Sequence, residues 1–466
     1  MDSAKEKSEK RREYMLEGNL IAVIFTIAIP QVVTMLVDSV YNMADAFFVS
    51  KIGDAAIAAV GVNDSLMMLI RAISMGFGIG SASFISRALG AKRDDDASRA
   101  AVTTLFTAMG TLCVCMIVGS IFLLPLVNFL GSTDTVRVYS MQYARWILFS
   151  APITSATIVL AQILRGEGST MYSMAGMTSG CLINIILDPI FINIFGLGVA
   201  GAAIATDISK LVGLIILFTP FFRAKTVIRL KPSFFTPTKE IYSEIMRMGI
   251  PTMLRTGMMS MAAILINNTA ASFGDAAMAS IAVADKSLRM VASGVMGFGQ
   301  GFQPIAGYCY GAKKYDRVLK ALRYTLTIGA VIGLTLGALL VIFTSQVIRI
   351  FSEDSNVMEL GMILIRTQSI TMIPHVWTMI VTGLFQSLGK AMKAGIMGLT
   401  RQLLVLIPCV FILPRMFGVM GLACSQATAD IISFTLAVIF VIPTIRELRD
   451  LTKGDIQART VILKGV

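Results

Sequence analysis

The chain repeats itself at an offset of 221 residues. Ile29-Pro30 returns as Ile250-Pro251, and Gly53-Asp54-Ala55-Ala56 returns as Gly274-Asp275-Ala276-Ala277. Met75-Gly76-Phe77-Gly78 returns as Met296-Gly297-Phe298-Gly299, Gly90-Ala91-Lys92 as Gly311-Ala312-Lys313, and Asp64 as Asp285. Over the ungapped stretch from 29 to 92 there are 18 identities in 64 positions. Looser matches follow: Pro152 with Pro374, Gly168 with Gly389, and Phe195-Gly196 with Phe417-Gly418. The structural unit is thus about half the chain, and any fold must accommodate it twice.

Both copies are apolar. Of 466 residues 55% are hydrophobic and 15% charged, with mean hydropathy +0.76. Soluble domains carry about 25% charged residues, and a helix of about 20 residues crosses a hydrocarbon core of ~30 Å. Twelve such stretches are read, near 20–50, 54–80, 98–130, 137–162, 171–195, 199–222, 242–271, 276–305, 318–348, 357–385, 393–413 and 418–443. A barrel would need short alternating segments, which are absent. The expectation is an all-α membrane protein of twelve transmembrane helices. Six spans per repeat is even, so the halves enter the membrane with the same orientation as two six-helix lobes related by a pseudo-twofold axis. The division reads as a tail at 1–19, an N-lobe at 20–222, a basic linker and hinge at 223–240, a C-lobe at 241–445 and a tail at 446–466. Paired apolar halves of this length point to a secondary transporter.

Basic residues set the orientation. They crowd before span 1 (Lys10, Arg11, Arg12), in the 223–240 link and after span 8 (Lys313, Lys314, Arg317), while alternate loops are thin in cations. By the positive-inside rule both termini are cytoplasmic, in a cell (inner) membrane. The net charge of +12 then reflects topology, and its dispersal over alternate loops argues against nucleic-acid binding. The six cysteines fall in or beside apolar spans without CxxC spacing, so neither a disulfide framework nor a metal knuckle is indicated. The charged first 19 residues lack an apolar core and a cleavage site, so no removable signal peptide is expected. The Gly76-Phe77-Gly78-Ile79-Gly80 and Gly297-Phe298-Gly299-Gln300-Gly301 strings follow no soluble strand. Their repetition suits close helix packing rather than a dinucleotide loop. No Walker A sequence is present, so ATP is not the expected driving force.

Ionisable groups inside the hydrocarbon are costly and mark function by default. Asp38, Asn42 and Asp45 recur at i, i+4 and i+7 along one face of span 1, and Asn184 and Asp188 at i, i+4 in span 5. Pro189 cannot donate to the carbonyl of Ile185, which leaves another oxygen one turn from Asn184. Span 6 adds Thr206 and Asp207. Asp45, Asn184, Asp188 and Thr206 could converge as a shell of oxygens for Na⁺, or the carboxylates could share a proton. Local capping is the alternative role for Asp45, and a backbone tie at the helix end for Asp188. The C-lobe does not match in acids: Ile266 stands opposite Asp45, and Asp285 and Arg289 read as an intrahelical ion pair. His375, the only histidine, follows Pro374 and could work with protons or simply pack. The 30 methionines, Met259 among them, suit either lipid packing or an adaptable ligand surface.

Several strings, taken in order, resemble the multidrug and toxic compound extrusion (MATE) family, prokaryotic branch. They are Tyr41-Asn42-Met43-Ala44-Asp45-Ala46-Phe47-Phe48-Val49, Gly53-Asp54, Gly90-Ala91-Lys92, Leu164-Arg165-Gly166-Glu167-Gly168 and Asn184-Ile185-Ile186-Leu187-Asp188-Pro189. The resemblance covers about residues 20 to 445. It implies a cation-coupling role for Asp45, Asn184, Asp188 and Thr206, with Na⁺ or H⁺ as the ion. Asp38 departs from the family at that depth, and Asp38, Asn42, Tyr41, Met259 and His375 are carried as secondary or substrate-facing candidates. The implied activity is efflux of amphipathic, often cationic organic compounds by a monomeric antiporter in a lipid bilayer, with no cofactor. A flippase for lipid-linked saccharides is the rival within the same broad superfamily. Its disfavouring features here are twelve spans and acids on the central helices. A non-transporting receptor or enzyme is the third reading, opposed by the lack of soluble domains and of a His/Glu/Asp cluster.

Overall fold

The computed structural model describes residues 2–52, 54–349 and 354–464, so Gly53 of the repeated Gly-Asp-Ala-Ala string lies outside the described residues. Every regular element among them is helical. A charged helix, α1 (Asp2–Glu17), precedes α2 (Leu20–Ser50), α3 (Asp54–Gly90), α4 (Asp94–Ile121) and the short α5 (Leu123–Phe129). Then come α6 (Asp134–Gly166), α7 (Thr170–Pro189), a π-helical turn (Ile190–Ile194) and α8 (Gly198–Phe222). The second half runs α9 (Lys239–Ala271), α10 (Asp275–Gly311), α11 (Tyr315–Ile342), α12 (Thr344–Arg349), α13 (Ser355–Ile370), α14 (Met372–Ser387) and α15 (Ala391–Leu399). A second π-helical turn (Thr400–Leu406) leads into α16 (Ile407–Lys464).

Among the described residues nine stretches are long and apolar enough to cross a membrane. The last of them, Ala391–Gly454, contains two crossings, because Gly418 adopts φ 59° and ψ −142° and stops the helical path. The 37-residue α10 is diluted by Asp285, Lys286, Arg289 and two glutamines, and the α13–α14 crossing is broken at Thr371. Counting these three gives the twelve spans expected from the sequence.

The repeat is written into the backbone as well. α3 and α10 each have 37 residues and α4 and α11 each have 28. Lys92 and Lys313, which follow α3 and α10, both take positive φ, at 62° and 57°. A side chain with Cβ resists that region by roughly 1–2 kcal/mol. The same strained lysine therefore recurs at the same turn in both halves.

Two compact units emerge, and they do not follow the sequence halves. One comprises Met1–Lys10, Val33–Ile85 and Arg93–Gly257; the other comprises Arg11–Val32, Ser86–Lys92 and Met258–Val466. The boundaries fall inside α1, α2, α3 and α9 and in the turn after α3. In the first unit α3 lays Gly76 and Gly80 against the opening half of α9. A Cβ on Gly76 would stand 2.9 Å from the carbonyl of Gly249, and one on Gly80 would overlap the carbonyl of Ile245. In the second unit α10 presents Gly297 and Gly301 to the opening half of α2, where a Cβ would stand 2.6 Å from Val32 Cα and 2.5 Å from Ala28 Cα. The glycine strings thus serve backbone-to-backbone helix packing.

The 223–240 segment, expected to act as a hinge, is fastened to the first unit along its length. The Val227 N–H donates to Glu167 Oε1 at 2.8 Å, the Arg229 N–H to Ser98 Oγ at 3.1 Å and the Thr236 N–H to Thr103 Oγ1 at 3.0 Å. Phe235 packs edge-on against Phe106. In the second unit the end of α1 is capped by side chains about 300 positions away. Arg317 donates from Nη2 to the Gly18 carbonyl at 2.6 Å and from Nε to that of Met15 at 3.1 Å, and Lys314 pairs with Glu17 at 3.1 Å. Met15 is buried beneath this cap.

Candidate functional site

Four sequence-selected residues meet inside the first unit, and the local sequence explains how each is presented. α7 carries Asn184 and Asp188 one turn apart, 2% and 0% exposed. Pro189 then removes a backbone donor, and the helix loosens into the π-helical turn at Ile190–Ile194. α8 runs beside it and supplies buried Thr206. The Asn184 Nδ2 donates to Thr206 Oγ1 at 3.2 Å. That bond turns the amide so that its carbonyl oxygen is presented as an acceptor. α2 brings Asp45 into charge range of Asp188.

The site is short of donors. Asp45 Oδ1, Asn184 Oδ1 and both carboxylate oxygens of Asp188 are buried without a hydrogen-bond partner. A buried polar atom left unpaired costs about 1–3 kcal/mol, and more when charged. A cluster of acceptors of this kind is satisfied by a proton shared between carboxylates or by a hard cation with oxygen ligands. The donor set fits either ion. Tyr41 also belongs here, its side chain lying amid Asp45, Asp188, Thr206 and Arg71.

Other candidates lie apart from this cluster. Asn42 is exposed and folds back on α2, donating to the Asp38 carbonyl at 2.6 Å and to Asp38 Oδ2 at 3.3 Å. Asp38 is in charge range of the buried Arg165 on α6. Met259 is exposed on α9, and Asp285 forms the expected exposed pair with Arg289 at 2.6 Å. His375 belongs to a separate cluster in the second unit, where its Nδ1 lies 3.1 Å from Asp430 Oδ1.

Sequence reasoning passed over the site's cations. Lys210 on α8 lies in charge range of Asp45 and Asp207, and Arg71 on α3 interacts with Asp64, Tyr41 and Lys210. It also passed over Arg401, whose Nε donates to Asp430 Oδ1 at 2.6 Å. The signal was present, since each is a charge inside an apolar span. Counting basic residues only as loop markers hid them.

Comparison with known proteins gives consistent matches. The MatE family profile matches residues 30–190 and again 251–412, once per repeat. The multidrug export protein MepA of Staphylococcus saprophyticus is 26% identical over 451 residues, covering 95% of this chain and 98% of that protein. MepA of Staphylococcus aureus is 26% identical over 435 residues, covering 92% and 95%. A solved MATE structure in the straight conformation superposes with TM-score 0.88 at 27% identity, covering 94% of this chain and 98% of its own.

Proposed function

The chain belongs to the MatE family, and from its first-unit site we infer that it exports amphipathic, cationic organic compounds in exchange for an inward-moving cation, H⁺ or Na⁺. Family members are transporters rather than enzymes, and the twelve apolar spans make this a multi-pass membrane protein. Multidrug export is the activity named for its Staphylococcus relatives. The observation that supports cation coupling is the set of buried acceptor oxygens on Asp45, Asn184 and Asp188 that form no hydrogen bond.

Coupling follows from exclusion. A cation bound between α2, α7 and α8 stabilises one arrangement of these helices, and an organic cation in the same lobe favours the other. Each ligand shifts the equilibrium only by its differential affinity for the two states. A proton needs the facing carboxylates of Asp45 and Asp188. A sodium ion would also use Asn184 Oδ1, held in place by Thr206.

The test is efflux of a fluorescent lipophilic cation from proteoliposomes under an imposed pH or Na⁺ gradient. Uphill export driven by either gradient supports the proposal, and export that ignores both overturns it. The protein acts as a monomer in the cell (inner) membrane with both termini in the cytoplasm. Cysteines placed at Lys225, Lys314 and Lys453 should then react only with membrane-permeant reagents in intact cells.

A further inference from the structure

The acid of the second unit is arranged unlike those of the first. Asp430 on α16 is 7% exposed, and its Oδ1 accepts both from Arg401 Nε at 2.6 Å and from the His375 ring at 3.1 Å. Arg401 reaches it from the π-helical turn at Thr400–Leu406, a local widening that breaks the regular helical register. His375 comes from the first turn of α14, one residue after Pro374. Asp430 and Arg401 neutralise each other, so the charge of the cluster depends on the imidazole alone. With Nδ1–H donated to Asp430, Nε2 is the remaining site on the ring.

We propose that His375 Nε2 is a second proton-binding site of the transporter, one that gives the second unit a positive charge separately from the carboxylates of the first. Asp430 holds the ring in the Nδ1–H tautomer and stabilises the imidazolium that forms, much as a carboxylate orients a histidine base. Other charged groups on the elements packed against α14 are engaged elsewhere or stand outside the cluster. Asp285 with Arg289 on α10 and Asp316 with Lys320 on α11 pair with each other, and Lys286, Arg323 and Arg415 are exposed. Arg317 of α11 donates to the Gly18 carbonyl, Lys393 of α15 to Thr444, and Glu447 of α16 pairs with Lys390, while Glu359 and Arg366 of α13 form no ion pair with Asp430 or His375 among the described residues. The proton taken up at Nε2 adds a positive charge that opposes binding of an organic cation by the transporter, and binding of that cation returns the proton to water. The transport consequence rests on the antiport reading; proton binding itself does not.

With one histidine in the chain, ¹⁵N imidazole spectra of the intact protein, purified without a polyhistidine tag, report this group alone. The expected result is a neutral ring protonated on Nδ1 that gains its second proton at Nε2 on acidification. A neutral ring protonated on Nε2, or spectra unchanged on acidification of the folded protein, would overturn the proposal. In weakly buffered detergent solution, tetraphenylphosphonium should release fewer protons from His375→Gln than from the parent. Equal release from the two would also overturn it. Asp188→Asn separates the readings: gradient-driven export that survives in that variant defeats first-unit coupling and leaves the His375 titration untouched.

Discussion

Replacing Thr206 by valine tests which ion the first-unit site serves. Valine keeps the volume and branching of threonine and deletes the hydroxyl that accepts from the Asn184 amide. Stranding that buried donor costs about 1–3 kcal/mol of stability, a moderate lowering of melting temperature that leaves the protein folded. The effect on the ion differs by mechanism. A sodium site loses one oxygen, and the amide carbonyl is no longer held in place. If that oxygen contributes about 1–1.5 kcal/mol net, sodium affinity falls roughly 5- to 13-fold. A proton on Asp45 or Asp188 needs no hydroxyl ligand, so pH-driven export should continue largely intact. The assay is dye export from proteoliposomes under separate Na⁺ and pH gradients, with sodium titrated. Export that the sodium gradient drives in the parent and that weakens in the variant decides for sodium; export that only the pH gradient drives and that persists in the variant decides for protons. Loss under both gradients with normal reconstitution would refute the reasoning, since Thr206 would then be needed for the architecture of the unit.

Four further outcomes are expected. Asp188→Asn should abolish gradient-driven export with normal membrane insertion, because Asp188 is fully buried and both its oxygens lack partners. Asp285→Asn removes only an exposed i,i+4 pair with Arg289, worth about 0.2–0.5 kcal/mol, and should leave export near normal in the same assay. Gly301→Val should prevent recovery of monodisperse protein, since its Cβ would press on Ala28 Cα at 2.5 Å, whereas Gly257→Ala meets nothing within 4 Å and should be tolerated. Arg317→Ala removes two charged hydrogen bonds to the end of α1, each worth about 1.5–3 kcal/mol. Hydrogen exchange should show α1 opening while α11 stays protected.

Much of this protein is legible from its chain because the bilayer enforces a simple rule. Backbone groups have no water to bond, so an apolar stretch of sufficient length must be a helix. Twelve spans follow from hydropathy, the repeat from the 221-residue register, and the family resemblance from strings such as those at 41–49 and 184–189. Asp45, Asn184, Asp188 and Thr206 stood out for a similar reason, since polar groups in hydrocarbon are expensive and their helical spacing places them on defined faces.

Tertiary structure decided the rest. Nothing in the string says that Asn184 turns its amide onto Thr206 while Asn42 folds back on Asp38, because both are asparagines on polar faces and only their neighbours differ. Sequence halves suggest lobes cut at the 223–240 linker, yet the compact units divide inside α1, α2, α3 and α9 and the linker is bonded along α4. That division depends on which glycines meet which backbone, a property of pairs far apart in the chain. The same holds for Asp430, Arg401 and His375, which are separated by up to 55 residues and gather at one carboxylate oxygen. Periodicity along one helix fixes which face a charge occupies, but only the packing of other helices against that face fixes its partner.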